Sequence, residues 1–276
     1  MNIPINQPGL QQARIALLEA RMSNEMADLI RRYNGKPYNV PAVREVPLES
    51  RNEVASFLDK LARREIDIVV FFTGVGVMAL IREAEALHRS QELLNGLQEV
   101  TIVCRGPKPS AVVRKQGLPI HVSALEPFTS NELIEALQTL EVANKTVAVL
   151  HYGERNAQVT QALSIRGAHI EELCLYEWLL PEDTRPLKEL IAALEAGEVA
   201  AIVFTSQVQV RHLFQIADEL GQHGELQKAL NTGTIVASVG PTCTSVLQGY
   251  EVAPHVIPEH PKMGHLIKAL AEYMSR

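Results

Sequence analysis

One feature constrains this chain more than any other: most of its strand-and-turn patterns occur twice. DIVVFFTGVGVMAL (67–80) is answered by AAIVFTSQVQVRHL (200–213), and TIVCRGPKPSAVV (101–113) by TIVASVGPTCTSVL (234–247). The offset barely drifts, with 132 positions between Thr73 and Thr205 and 134 between Gly106 and Gly240. The apolar run 146–150 repeats 15–18, and the helical stretch 157–166 stops at Gly167 as the one opening at Ser23 stops at Gly35. The extended stretch 170–180 runs into Pro181-Glu182, as 40–47 ends at Pro47 before Leu48-Glu49. A period this long predicts duplicated domains, because solenoid repeats run to only about 20–50 residues.

Within each copy, apolar runs alternate with helical patterns, the βαβ signature of a parallel sheet. Ser23 is expected as the N-cap of a helix with Met26, Leu29, Ile30 and Tyr33 on one face, and Val54, Phe57, Leu58 and Leu61 as the apolar stripe of another. Strands are expected at 15–18, 66–72, 101–104 and 120–122, with counterparts in the second copy. Each half then offers five strands, enough for a small doubly wound, flavodoxin-like sheet. The extended segments 40–47 and 170–181 fit two roles, second strands within each sheet or crossovers joining the lobes.

Bulk properties narrow the function. The 276 residues carry 26 Lys+Arg against 32 Asp+Glu, a formal charge of −6, so no basic stripe for nucleic acid is expected. Cys104, Cys174 and Cys243 have no CxxC spacing and read as reduced thiols in a core. The N-terminal stretch MNIPINQPGLQQAR lacks the basic and apolar regions of a secretion signal, and the nearly uncharged run 68–81 is too short to span a bilayer. The expectation is a cytoplasmic protein without membrane or nucleic-acid partners.

Ligands of open α/β sheets sit beyond the carboxyl ends of the strands, where helix N-termini aim unpaired N–H groups outward. Four turns here fall at such places: Thr73-Gly74, Arg105-Gly106-Pro107-Lys108, Thr205-Ser206-Gln207 and Gly240-Pro241-Thr242. Gly74 and Gly76 are expected to let backbone approach a ligand with no Cβ in the way. Arg21, Arg105, Lys108, Arg155 and Lys262 add cations near the strand ends. The set suits a ligand with several separated anionic groups, gripped from both lobes; the competing reading of each turn is a helix N-cap and nothing more. Tyr176 and Trp178 lie in the second extended segment, where Tyr176 either packs as a strand aromatic or turns its hydroxyl to the ligand. Other chemistries lack their signatures. His260 and His265 have no metal-ligand spacing, Ser206 has no GxSxG around it, and neither half has GxGxxG or GxxxxGK[ST].

The stretches RIALLEARMSNEMADLIRRYNG, FFTGVGVMAL, CRGPKPSAVVRKQGL, HYGERN, IVFTSQVQVRHLF and GPTCTSVLQGY, in that order and spacing, resemble the uroporphyrinogen-III synthase family over nearly the whole chain. The resemblance implies two flavodoxin-like lobes, 1–38 plus 183–276 and 50–170, joined by a two-stranded linker of 39–49 and 171–182. It implies hydroxymethylbilane, a linear tetrapyrrole with eight carboxylates, as substrate, with no cofactor or metal. Transient contact with the preceding pathway enzyme is the one protein partner it suggests. Tyr176 matches the family's favoured proton donor. Substrate-binding roles fall on Arg21, Thr73, Gly74, Gly76, Arg105, Gly106, Lys108, Tyr152, Thr205, Ser206, Gln207, Gly240 and Thr242. The chain departs from the family pattern at Pro109, which stands beside Ser110 where a Thr is common, at the Thr-Ser-Gln-Val-Gln turn, and at Cys243. A catalytically inactive two-lobed tetrapyrrole- or anion-binding regulator of the same fold is the rival reading.

Overall fold

Val- and Ile-rich runs bounded by turns place strands with both faces covered at the centre of parallel sheets. The computed structural model describes residues 9–47, 51–151 and 153–276. The chain begins with β1 (Arg14–Leu17), α1 (Ser23–Arg32), β2 (Lys36–Asn39) and β3 (Arg44–Pro47). Then come α2 (Arg51–Ala62), β4 (Ile68–Phe71), α3 (Gly74–Ala86), α4 (Ser90–Gln98), β5 (Thr101–Cys104) and α5 (Pro107–Lys115). The middle continues with β6 (Val122–Ser123), α6 (Ser130–Leu137), β7 (Thr146–Leu150), α7 (Ala157–Ile165) and β8 (His169–Leu173). After β9 (Tyr176–Leu179) follow α8 (Arg185–Glu195), β10 (Ala201–Phe204), α9 (Gln207–Leu220) and α10 (His223–Thr232). The last elements are β11 (Ile235–Ser238), α11 (Pro241–Gly249) and α12 (Met263–Met274).

These elements form two compact units, one of the residues up to Arg44 with Leu179–Arg276, the other Glu45–Trp178. The second unit holds a five-stranded sheet of order β6-β5-β4-β7-β8, and its pairs run parallel. Side chains alternate across β4 as the pleat requires. Ile68 and Val70 pack with Phe72, Val147, Val149, Leu133 and Val159, while Val69 and Phe71 pack with Phe57, Ile102, Ala148 and Leu150. The first unit holds the parallel order β11-β10-β1-β2, with one further parallel bridge from Ala237 to Val256 in place of a fifth strand. Its pleat alternates likewise: Ile15, Leu17, Ala201 and Val203 face one core, Ala16, Leu18, Ile202 and Phe204 the other.

Several expected boundaries move. The strand expected at 120–122 is Val122–Ser123, and α4 and α10 are helices that the apolar pattern had not marked. The extended segment 170–181 divides between its two expected roles: β8 joins a sheet, whereas β9 pairs with β3 in a separate two-stranded sheet. The segment 40–47 holds only β3, and the strand that joins the first sheet, β2, lies before it at Lys36–Asn39. Short irregular stretches, residues 40–43 and 174–175, precede β3 and β9. The boundaries of the units fall inside β3 and β9.

Candidate functional site

Parallel strands deliver all their carboxyl ends to one edge of a sheet, so the turn after each strand meets its neighbours there. In the second unit that edge is built around Thr73. As N-cap of α3, Thr73 is extended (φ −137°, ψ 150°), and its Oγ1 accepts the Gly76 N–H at 3.0 Å. The same oxygen lies 3.0 Å from the Tyr176 hydroxyl. Thr73 keeps its own hydrogen while its oxygen accepts from Gly76, and either hydroxyl can serve as the donor in the contact with Tyr176. Tyr176 is only 3% exposed, and its ring is tilted against Trp178 at 5.9 Å between centroids. It packs as a strand aromatic, and its hydroxyl is directed at the Thr73 turn.

The turn after β5 brings Arg105, Gly106 and Lys108 to the same edge. Arg105 donates its backbone N–H to Phe71 O at 2.9 Å, and its guanidinium carbon lies 5.5 Å from the Phe72 ring centroid. Ser110 does not take the place of the Thr replaced by Pro109: it is buried and donates to Gly106 O at 2.8 Å. The glycines also differ from expectation. A Cβ on Gly74 would sit 3.0 Å from Lys108 O, one on Gly76 3.2 Å from Thr73 Oγ1, and one on Gly106 3.1 Å from the Phe128 ring. Their missing side chains make room for the protein itself, letting α3 approach α5 and Phe128 approach the turn.

A third turn, after β7, closes this edge. Tyr152 lies outside the described residues. Gly153 (φ +88°) stands where any side chain would collide with Trp178, its Cβ position being 2.8 Å from the indole. His151 is fully buried; its Nδ1 accepts the Asn156 N–H at 3.1 Å and its Nε2 meets Glu172 Oε2 at 2.7 Å. The exposed Arg155 reaches the same Glu172 oxygen at 3.1 Å. Burial pushes the His151 imidazole below its ordinary pKa, opposed by the Glu172 hydrogen bond.

In the first unit the corresponding edge is already occupied by the chain's own acid. Glu19, just past β1, accepts the Thr205 hydroxyl at 2.6 Å and the Arg21 N–H at 3.2 Å. Gln209, buried in the first turn of α9, accepts the Thr205 N–H at 2.8 Å and the Ser206 N–H at 3.3 Å. The Thr205-Ser206 turn therefore has its leading amides and its hydroxyl engaged internally, and Gln207 opens the helix behind it. A Cβ on Gly240 would meet Pro261 at 3.0 Å. Thr242 is exposed at the start of α11, while Cys243 is buried and directs its thiol to Phe204 O. Arg21, Lys108 and Lys262 are exposed. Burial raises Cys104 and Cys243 to about 11, which keeps both as thiols at neutral pH.

Sequence reasoning passed over Glu19, Gln209 and the His151–Glu172 pair. Two signals were present: Ser206 followed three residues later by Gln209 is a capping box, and Glu19 and His151 each end an apolar strand. Among the described residues, no cluster of three or more His, Cys, Asp or Glu is disposed to hold a metal ion, and no helix is long and apolar enough to cross a membrane.

A family model described as Uroporphyrinogen-III synthase HemD matches residues 24–268. "Uncharacterized protein YjjA" of Bacillus subtilis is 30% identical over 265 residues, 96% of this chain and 97% of that protein. A protein named "Putative uroporphyrinogen-III synthase" from Methanothermobacter thermautotrophicus is 29% identical over 255 residues, 91% and 94% of the two chains. A solved structure of a mutant uroporphyrinogen III synthase from the extremely thermophilic bacterium Thermus thermophilus superposes with a TM-score of 0.77 at 24% identity, covering 95% of this chain and 98% of that one. At that identity the likeness is one of fold.

Proposed function

Because this chain belongs to the uroporphyrinogen-III synthase family, we propose that it cyclises hydroxymethylbilane to uroporphyrinogen III, inverting the terminal pyrrole ring and releasing water. The hydroxymethyl C–O bond breaks as the oxygen takes a proton and leaves as water, giving an azafulvene cation. The substituted α-carbon of the last ring attacks that cation and forms a spiro-pyrrolenine. The spiro centre then opens and recloses with the ring reversed, and loss of the α-hydrogen balances the proton taken up. No electrons are transferred, so the chemistry asks for no redox group.

The observation that carries this reading is the Tyr176–Thr73 hydroxyl pair at the carboxyl edge of the second sheet. A phenol with an ordinary pKa of about 10 is a weak acid at neutral pH, so Tyr176 assists departure of the hydroxyl and the larger effect is restraint of the chain in a reactive fold. Substrate carboxylates fit beside Arg105, Lys108 and the N-termini of α3 and α5 in one unit, and beside Arg21, Gly240 and Thr242 in the other. The paired sequence repeats support two flavodoxin-like lobes of common descent, with β3 and β9 as the linker.

One observation favours the rival, a tetrapyrrole- or anion-binding regulator without turnover: Glu19 places a carboxylate at the α9 N-terminus, where a ligand acid would sit. A coupled reaction separates the two. Porphobilinogen and its deaminase supply the substrate, and the oxidised products are resolved into type I and type III isomers. Type III product above the uncatalysed background supports the enzyme. Type I alone, with uroporphyrin still binding, supports the regulator.

A further inference from the structure

We propose that His151 is a positioning residue for Tyr176, a role that rests on the function proposed above. The neutral ring uses both nitrogens. Its Nδ1 accepts the Asn156 N–H at 3.1 Å, so the proton resides on Nε2 and is donated to Glu172 at 2.7 Å. One bond closes the turn that follows β7; the other ties that turn to β8. Asn156 extends the hold by capping α7 through Val159 N–H at 3.1 Å and by donating to Ser130, at the start of α6, at 2.7 Å.

The turn fixed in this way is the one that backs the proton donor. Gly153, two residues from His151, presents its backbone to the Trp178 indole, and Trp178 packs on Tyr176. From the other side, Cys174 donates its thiol to Tyr176 O at 3.3 Å, two residues after Glu172. His151 also stacks on Phe72, next to Thr73, at 5.9 Å and 21° between planes. The imidazole thus ties together the two segments that set the Tyr176–Thr73 distance. It acts only while neutral, because a proton on Nδ1 would face the Asn156 N–H donor to donor. The charged groups against it are Glu172 on β8 and Arg155 on the turn. Its Phe72 and Asn156 neighbours are uncharged.

The chain has a single tryptophan, Trp178, so its fluorescence reports on this turn whether or not the protein turns over hydroxymethylbilane. His151→Ala removes both bonds. His151→Asn keeps an acceptor in the place of Nδ1 and should close the turn, and His151→Gln keeps a donor toward Glu172. Circular dichroism and urea midpoints establish that each variant folds. We expect His151→Ala to shift and broaden Trp178 emission and to lower kcat for type III formation about tenfold or more, with KM little changed. The Asn and Gln variants should recover part of both signals. In the wild type, Trp178 emission should titrate below neutral pH, a transition missing from the variants. Folded variants with wild-type emission and kcat would overturn the proposal. If the wild type makes no type III product, the emission readout still decides whether His151 holds the turn.

Discussion

Tyr176 and Thr73 meet hydroxyl to hydroxyl at 3.0 Å, with Thr73 already accepting the Gly76 N–H. Removing the phenol oxygen leaves the Thr73 cap of α3 in place and takes away the hydroxyl proposed as the proton donor. Tyr176→Phe should therefore lower the rate of type III formation by about tenfold to a hundredfold, at the low end of what a positioned acid contributes. The cost in stability should be about 1 kcal/mol, one partly buried hydrogen bond. Rapid-quench kinetics and urea denaturation check the two halves, and unchanged kinetics would remove Tyr176 from the chemistry.

Gly106 tests whether the strand-end glycines serve ligand or fold. Its backbone is extended (φ 178°), which any residue can adopt, so a substitution acts through contact alone. An added Cβ lies 3.1–3.2 Å from three atoms of Phe128. Gly106→Ala should cost about 1–3 kcal/mol as the ring shifts, and Gly106→Val more. Thermal melting measures this. Uroporphyrin affinity should fall less than stability; the reverse order would mean that the position faces ligand.

Glu19 holds a negative charge where the Thr205-Ser206 turn would otherwise meet an anion. Glu19→Gln keeps the shape and removes the charge. If carboxylates approach this turn, affinity for uroporphyrin should rise about fivefold, the effect of one charge a few ångströms away in water. High salt should shrink the difference. Equilibrium titration at low and high salt gives the answer, and equal affinities would place the ligand's acids elsewhere.

Acid should loosen the fold through His151. Burial holds its folded pKa below the ordinary value of about 6.5, so the unfolded chain takes up a proton first as pH drops. Its contribution to stability is complete above that ordinary value and is lost progressively as pH falls toward the folded value, at no more than about 1.4 kcal/mol per pH unit. Urea midpoints of wild type and His151→Asn across this range should draw together toward low pH, the wild type falling more steeply. Parallel curves would refute the assignment.

Much of this was legible in the sequence because burial writes a simple pattern. Ile68–Phe71 and Ala201–Phe204 are apolar on both faces, and each is flanked in its own sheet by the parallel strand that the sequence pairing placed after it, β5 or β11. Thr73 was legible as a helix start. What escaped was polar or short. Lys36–Asn39 (KPYN) pairs along β1 with little apolar signal of its own. The orientation of the glycines depended on Phe128, Lys108 and Pro261, distant partners that no local pattern announces. Gln209 and His151 were hidden for a similar reason: a buried polar side chain is defined by its partners, and these become neighbours only once the strands are aligned.

The first unit's sheet has a consequence for synthesis. β1 lies between β2 and β10, and β10 begins at Ala201 of 276 residues. A ribosome therefore releases β1–α1–β2 long before β1 can gain its second neighbour, while the strands of the other unit, β4 to β8, lie within one continuous stretch. The middle of the nascent chain can close first, leaving an apolar strand edge near the N-terminus waiting for its partner. Chaperone binding to stalled chains should concentrate on that early segment and end once β10 has emerged.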